Sequence, residues 1–137
     1  MSAVYSNIVV GTDGSETAGV AVAHAAALAQ LSGATLHLVY AWDVSEAMAV
    51  AEGGAPDGVQ EMLDLQAATC AAAGVRAEVH VVRHAPVKAL ETVVERTGAE
   101  LLVVGNRGMS GAGRLLGSVP NKISHDAPCN LLIVQTS

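Results

Sequence analysis

The chain has 137 residues, half of them hydrophobic, with a net charge of −6 and almost no aromatics (Tyr5, Tyr40, Trp42 and no Phe). That length fits one domain spanning residues 1–137, and the apolar content excludes a disordered chain. The acidic balance and the lack of stacking rings exclude a nucleic-acid binder, and no apolar run is long enough to span a membrane.

Charge is unevenly placed. Eight of the thirteen acids and no base precede residue 76, so the first 75 residues carry −8. Seven bases against five acids leave the remainder at +2. Three of those bases, Arg107, Arg114 and Lys122, fall close together, which suits a compact anion rather than a long polyanion. Cys70 and Cys129 fit no paired motif, and the N-terminus has no basic leader region. Reduced thiols in a cytoplasmic protein are the expectation.

Asn7 to Val10 reads as a short buried strand, followed by the turn Gly11-Thr12-Asp13-Gly14-Ser15. Ser15 suits an N-cap, with Glu16 in the first turn. The helix that follows runs to about Ser32, with Ala18, Val22, Ala25, Leu28, Ala29 and Leu31 at helical spacing and Gly33 as its stop. Thr35 to Tyr40 is the second strand. Residues 43 to 58 hold three glycines, a proline and no base, and read as an acidic excursion. A second helix spans about Val59 to Ala73 and ends at Gly74. Val75 to Arg83 is the third strand, with Val75, Ala77, Val79 and Val81 on one face. Pro86 opens a third helix with a stripe of Val87, Leu90, Val93 and Val94, and Gly98 ends it. Leu101 to Val104 is the fourth strand. Val119 to about Asp126 is a short fourth helix, broken by Pro128. Leu131 to Val134 is the last strand.

Strands alternating with helices predict an α/β fold: a single doubly wound, five-stranded parallel sheet with helices on both faces. Ligands of such sheets sit beyond the carboxyl ends of the strands, where strand order reverses. Val9-Val10-Gly11-Thr12-Asp13-Gly14 and Val103-Val104-Gly105-Asn106-Arg107-Gly108 share VVG-x-x-G. This weak symmetry suggests that strands one and four are neighbours flanking one crevice.

The segment Leu101 to Ser118 carries the strongest chemical signal. A buried strand leads into glycines 105, 108, 111, 113 and 117, and Ser118 stands at a helix start. Glycine lets the backbone approach a ligand, and loop and helix N-terminal amides can then face phosphate oxygens. Asn106, Arg107, Ser110 and Arg114 add polar donors. No lysine follows Gly117, so this is not a Walker A loop, and it is not the dinucleotide G-x-G-x-x-G. Asp13 could meet ribose or base; alternatively Asp13 and Glu16 form a D-x-x-E capping box. The five histidines show neither H-E-x-x-H nor Cys/His-pair spacing, and no acidic pair marks a magnesium site, so no dedicated metal site is expected. Ser118, His125 and Asp126 have the wrong spacing for a triad, and no G-x-S-x-G elbow is present. No catalytic residue is expected. His84 reads as exposed and Trp42 as core.

The glycine framework resembles the nucleotide signature of the universal stress protein family: Gly, two residues, Gly, nine residues, Gly, then Ser or Thr. Gly105, Gly108, Gly117 and Ser118 match it, with a second spacer of eight residues. The likeness runs from VVGTDGSE at the first strand to APCNLLIV at the last. It implies an adenine nucleotide alpha hydrolase-like, Rossmann-like fold that binds an adenine nucleotide: ATP, with Mg²⁺ carried on its phosphates, or else AMP or cyclic AMP. By the same likeness Gly11, Thr12 and Asp13 meet the nucleoside, Ala41 leaves room for adenine, and Val104 touches base or ribose. Gly105, Arg107, Gly108, Gly117, Ser118 and Val119 hold the phosphates. A stress-response or signalling homodimer, paired through Leu131 to Val134, is implied. Two alternatives stay open. One is a slow ATPase or autophosphorylating protein with Ser110 or Ser118 as acceptor. The other is a member that binds no nucleotide and acts through protein contacts.

Overall fold

A computed structural model describes residues 4–42, 57–106 and 129–136. Its elements are β1 (Asn7–Gly11), α1 (Glu16–Ser32), β2 (Thr35–Ala41), α2 (Val59–Ala72), β3 (Ala77–Val82), α3 (Pro86–Thr97), β4 (Leu101–Gly105) and β5 (Asn130–Val134). The expected fourth helix and residues 43–56 of the acidic excursion lie outside the described residues.

All five strands are parallel, in the order β3-β2-β1-β4-β5. Central position explains the composition of β1, β2 and β4. A strand covered on both faces needs apolar side chains at every position, not at alternate ones. Ile8, Val9 and Val10, then Leu36, Leu38 and Val39, then Leu101 to Val104 are all buried. The outer strands are more exposed: Val81 on β3 and Ile133 on β5 both reach solvent.

Helices cover both faces. Ala21, Val22, Ala25 and Ala29 of α1 and Cys70 of α2 pack with Ile8, Val10, Leu36 and Leu38. Ala89, Leu90, Val93 and Val94 of α3 pack with Val9, Val39, Leu102 and Val104 on the other. The small alanine stripe lets α1 sit close to the sheet. One expected member of that stripe is misplaced: Leu31 is 85% exposed. Two residues past buried Ala29, it has turned about 200° around the helix and faces water.

The stops fall where glycine was expected. Gly33 and Gly98 adopt left-handed conformations and donate to Ala29 O and Val94 O, closing α1 and α3. Glu100 fastens the same, amino-terminal end of the sheet. Its Oε1 accepts from the backbone N–H groups of Ser6 and Asn7, each at 2.9 Å. Burial pushes this carboxyl upward, but the hydrogen bonds from Asn7 and Ser6 outweigh it, and its pKa lies below 4.5.

Candidate functional site: the crevice at the β1/β4 switch point

β1 is flanked by β2 on one side and β4 on the other, so chain order reverses between β1 and β4. Ile8 pairs with Leu101 and Val10 with Val103, which brings the Gly11 and Gly105 ends of the two strands to one sheet edge. The expectation that strands one and four are neighbours is met.

The β1 turn is held by its own side chains. Thr12 is fully buried, and its N–H donates to Val39 O at 2.9 Å, extending the β1–β2 ladder by one residue. Thr12 Oγ1 accepts from Gly14 N at 3.2 Å, and Asp13 Oδ1 accepts from Ser15 N at 2.9 Å. Ser15 then caps α1, its Oγ accepting from Ala18 N. Glu16 occupies the first turn. The helix therefore starts on Ser15, and Asp13 closes the preceding turn as a one-residue Asx bridge rather than as the cap of a D-x-x-E box. Gly14 has φ +83°, and a Cβ there would stand 3.1 Å from Met62 Cε of α2.

Ala41 and Val104, assigned by resemblance to the base and ribose, are both buried in the cluster on the α3 face. They stand near the carboxyl ends of β2 and β4. Trp42 is 6% exposed, as a core residue should be, and the Arg83 guanidinium lies 5.4 Å from its ring centroid. His84 is exposed just beyond β3.

At the β4 exit, Gly105 passes close to other atoms: a Cβ would stand 3.1 Å from Thr136 Cγ2. Asn106 then ties this exit to the end of β5. Its N–H donates to Val134 O at 2.8 Å. Its Oδ1 accepts from both Thr136 N and Thr136 Oγ1, each at 2.8 Å. Asn106, read from sequence as a polar donor in the loop, also has its Oδ1 occupied as a brace. Arg107, Gly108, Gly117, Ser118 and Val119 lie outside the described residues. Gly11, Thr12, Asp13, Ala41, Val104 and Gly105 are thus the predicted contacts that have been placed, all at or just beyond the carboxyl ends of β1, β2 and β4.

A cavity of about 430 Å³ lies elsewhere, between α1 and α2, lined by Val22, Ala26, Gln66 and Cys70 among others. None of the predicted nucleotide contacts lines it. Burial there pushes the Cys70 thiol above its ordinary value. Among the described residues no helix is long and apolar enough to cross a membrane.

Comparison with known proteins agrees with this geometry. The universal stress protein family profile matches residues 5–135. The universal stress protein Rv1636 of Mycobacterium tuberculosis strain H37Rv is 39% identical over 97% of this chain and 98% of its own. A universal stress protein crystallised in complex with cAMP is 38% identical, covers 99% of this chain and 100% of its own, and superposes with a TM-score of 0.78. The Archaeoglobus fulgidus universal stress protein in complex with dAMP is 21% identical, with a TM-score of 0.72 over 96% of this chain and 99% of its own, a likeness of fold.

Proposed function

This chain belongs to the universal stress protein family, and on that premise we propose that it binds an adenine nucleotide in the crevice between β1 and β4. The observation that carries the reading is the register of those strands. It sets the Asp13 turn beside the Gly105 exit at the one place where strand order reverses. The relative crystallised with cAMP, 38% identical, supports an adenine ligand.

ATP is the preferred nucleotide, because the glycine framework extends well beyond what a single phosphate needs. The nucleoside lies against Gly11, Thr12, Asp13, Ala41 and Val104. Gly105, Arg107, Gly108, Gly117, Ser118 and Val119 take the phosphates, with backbone amides as donors and Arg107 as counter-charge. Asp13 Oδ1 accepts from Ser15 N, which leaves its other oxygen for the nucleoside, and Mg²⁺ arrives with the phosphates. The role is binding and signalling in a cytoplasmic stress response rather than turnover. No general base stands among the placed contacts apart from Asp13, which faces the nucleoside end. A homodimer forms through β5, an edge strand whose Ile133 is 46% exposed.

Isothermal titration of the purified chain with ATP, AMP and cyclic AMP tests the reading, with hydrolysis followed in parallel. Heat with ATP and loss of that heat in Gly117→Val, at unchanged circular dichroism, is the expected result. No heat with any of the three selects the nucleotide-free member instead. Single-turnover hydrolysis well above background selects the ATPase.

A further inference from the structure

The sequence holds His37 and His80 in separate strands with no metal-binding spacing, yet parallel pairing brings them together. His37 faces Glu78 across the β2–β3 pair, and His80 stands two pairs further along, opposite Val39. Side chains two residues apart share a sheet face, so His37, Glu78 and His80 lie on the α3 side with Val39 and Val82. His37 Nδ1 is 2.9 Å from His80 Nε2 and 3.7 Å from Glu78 Oε1. The three ligand atoms all lie within 4.8 Å of one another.

The proton positions follow from the third contact. Asn7 Oδ1 is an acceptor 2.9 Å from His37 Nε2, so that nitrogen carries the hydrogen. In the neutral ring Nδ1 then carries the lone pair, and it faces His80 Nε2 and Glu78 Oε1. A metal-ligating histidine has this arrangement: one nitrogen toward the ion, the other donating to a fixed oxygen. Burial lowers the pKa of both imidazoles, against the opposing pull of Glu78, and His37 and Arg96 lower His80 further. Arg96, from the last turn of α3, disfavours a cation here, and the Glu78 carboxylate offsets it.

We propose that His37 Nδ1, His80 Nε2 and a Glu78 carboxylate oxygen bind one zinc(II) ion on the α3 face of the sheet. Two imidazoles and one carboxylate suit zinc rather than magnesium or calcium, which prefer oxygen throughout. Zinc bonds of roughly 2.0–2.2 Å set tetrahedral ligand atoms about 3.3 Å apart, between the two separations seen here. Binding requires a change of tautomer at His80: the hydrogen leaves Nε2 and another is taken up at Nδ1, so the ligand stays a neutral imidazole and no net proton is released. The His37 side chain is 4% exposed and that of Glu78 51%, so the ion enters from the Glu78 side and keeps a water there. The site does not overlap the nucleotide crevice. His37 lies four residues back from Ala41, about 13 Å along the strand.

The test uses untagged protein stripped with EDTA and free of nucleotide. Zinc chloride is titrated against a chromogenic chelator, and cobalt chloride is followed by its visible spectrum. Wild type is expected to bind one equivalent and to give the intense bands of four-coordinate cobalt. Asn7→Ala should weaken zinc by about 10–100-fold, as loss of an outer partner does, and His80→Gln by more than that. Glu78→Gln, at a half-exposed position that the fold tolerates, should also weaken zinc and alter the cobalt bands. Absence of the bands overturns the proposal. So does a zinc affinity unchanged in His80→Gln or Glu78→Gln, which places the ion elsewhere. ATP titration of His80→Gln should match wild type, so this result and the nucleotide reading fail independently.

Discussion

Removing the Asn106 side chain separates support from ligand contact at the β4 exit. In Asn106→Ala, Thr136 N and Thr136 Oγ1 both lose their acceptor. Each such bond contributes about 0.5–1.5 kcal/mol net, so the pair amounts to about 1–3 kcal/mol. A domain of this size loses roughly 4 °C in Tm per kcal/mol, which gives a fall of about 4–12 °C. Differential scanning calorimetry measures it. Asn106→Asp keeps the accepting oxygen, so its Tm should return to within about 2 °C of wild type. It also places a negative charge beside the proposed phosphate loop, so ATP affinity should fall although stability does not. An Asn106→Ala protein as stable as wild type would refute the brace. A destabilised Asn106→Asp would show that the amide nitrogen, not Oδ1, holds the β5 end.

Other consequences are as direct. Glu100 has a folded pKa below 4.5, so its contribution is fully present above 4.5 and lost as pH falls through the folded value. Acid melts should show wild type losing an increment that Glu100→Gln does not lose, and identical acid profiles would contradict the Ser6 and Asn7 bonds. Gly14→Ala forces a side chain into left-handed backbone at φ +83° and should cost about 1–2 kcal/mol by urea denaturation, since Met62 is flexible enough to yield. An unchanged midpoint would place the turn in another conformation. Asp13→Ala should weaken ATP by about tenfold or more, the loss of one charged hydrogen bond, while inorganic phosphate binding is retained. Equal loss of both would mean that Asp13 serves the turn alone.

Local signals predicted most of the architecture. Continuous apolar runs marked β1 and β4 because a doubly covered strand has no polar face, and Gly33 and Gly98 marked helix stops because only a left-handed residue closes those carbonyls. The duplicated VVG-x-x-G even signalled the β1–β4 adjacency. Leu31 was misread because an alanine-rich helix has a weak stripe, and one exposed leucine fits either side of it. The His37–His80 contact was illegible for a different reason. It depends on β2–β3 register, which links residues 43 apart, and spacing along the chain carries no trace of it. The Asn106–Thr136 brace, across 30 residues, is of the same kind. Of the two readings of Asp13, the D-x-x-E capping box is not what forms: Ser15 caps α1, and Asp13 Oδ1 accepts from Ser15 N within the turn.

The placement of β1 has a consequence for how the chain assembles. Its first neighbour, β2, follows after one helix, but Ile8 must wait for Leu101 to complete its other flank. As the polypeptide leaves the ribosome, β1, β2 and β3 are all exported before that partner exists. A strand whose Ile8, Val9 and Val10 are fully buried in the finished fold then presents a raw hydrogen-bonding edge to water. Closing it requires a long-range event, which is slow. Nascent chains halted before β4 should therefore be clients of chaperones, whereas those halted after it should not.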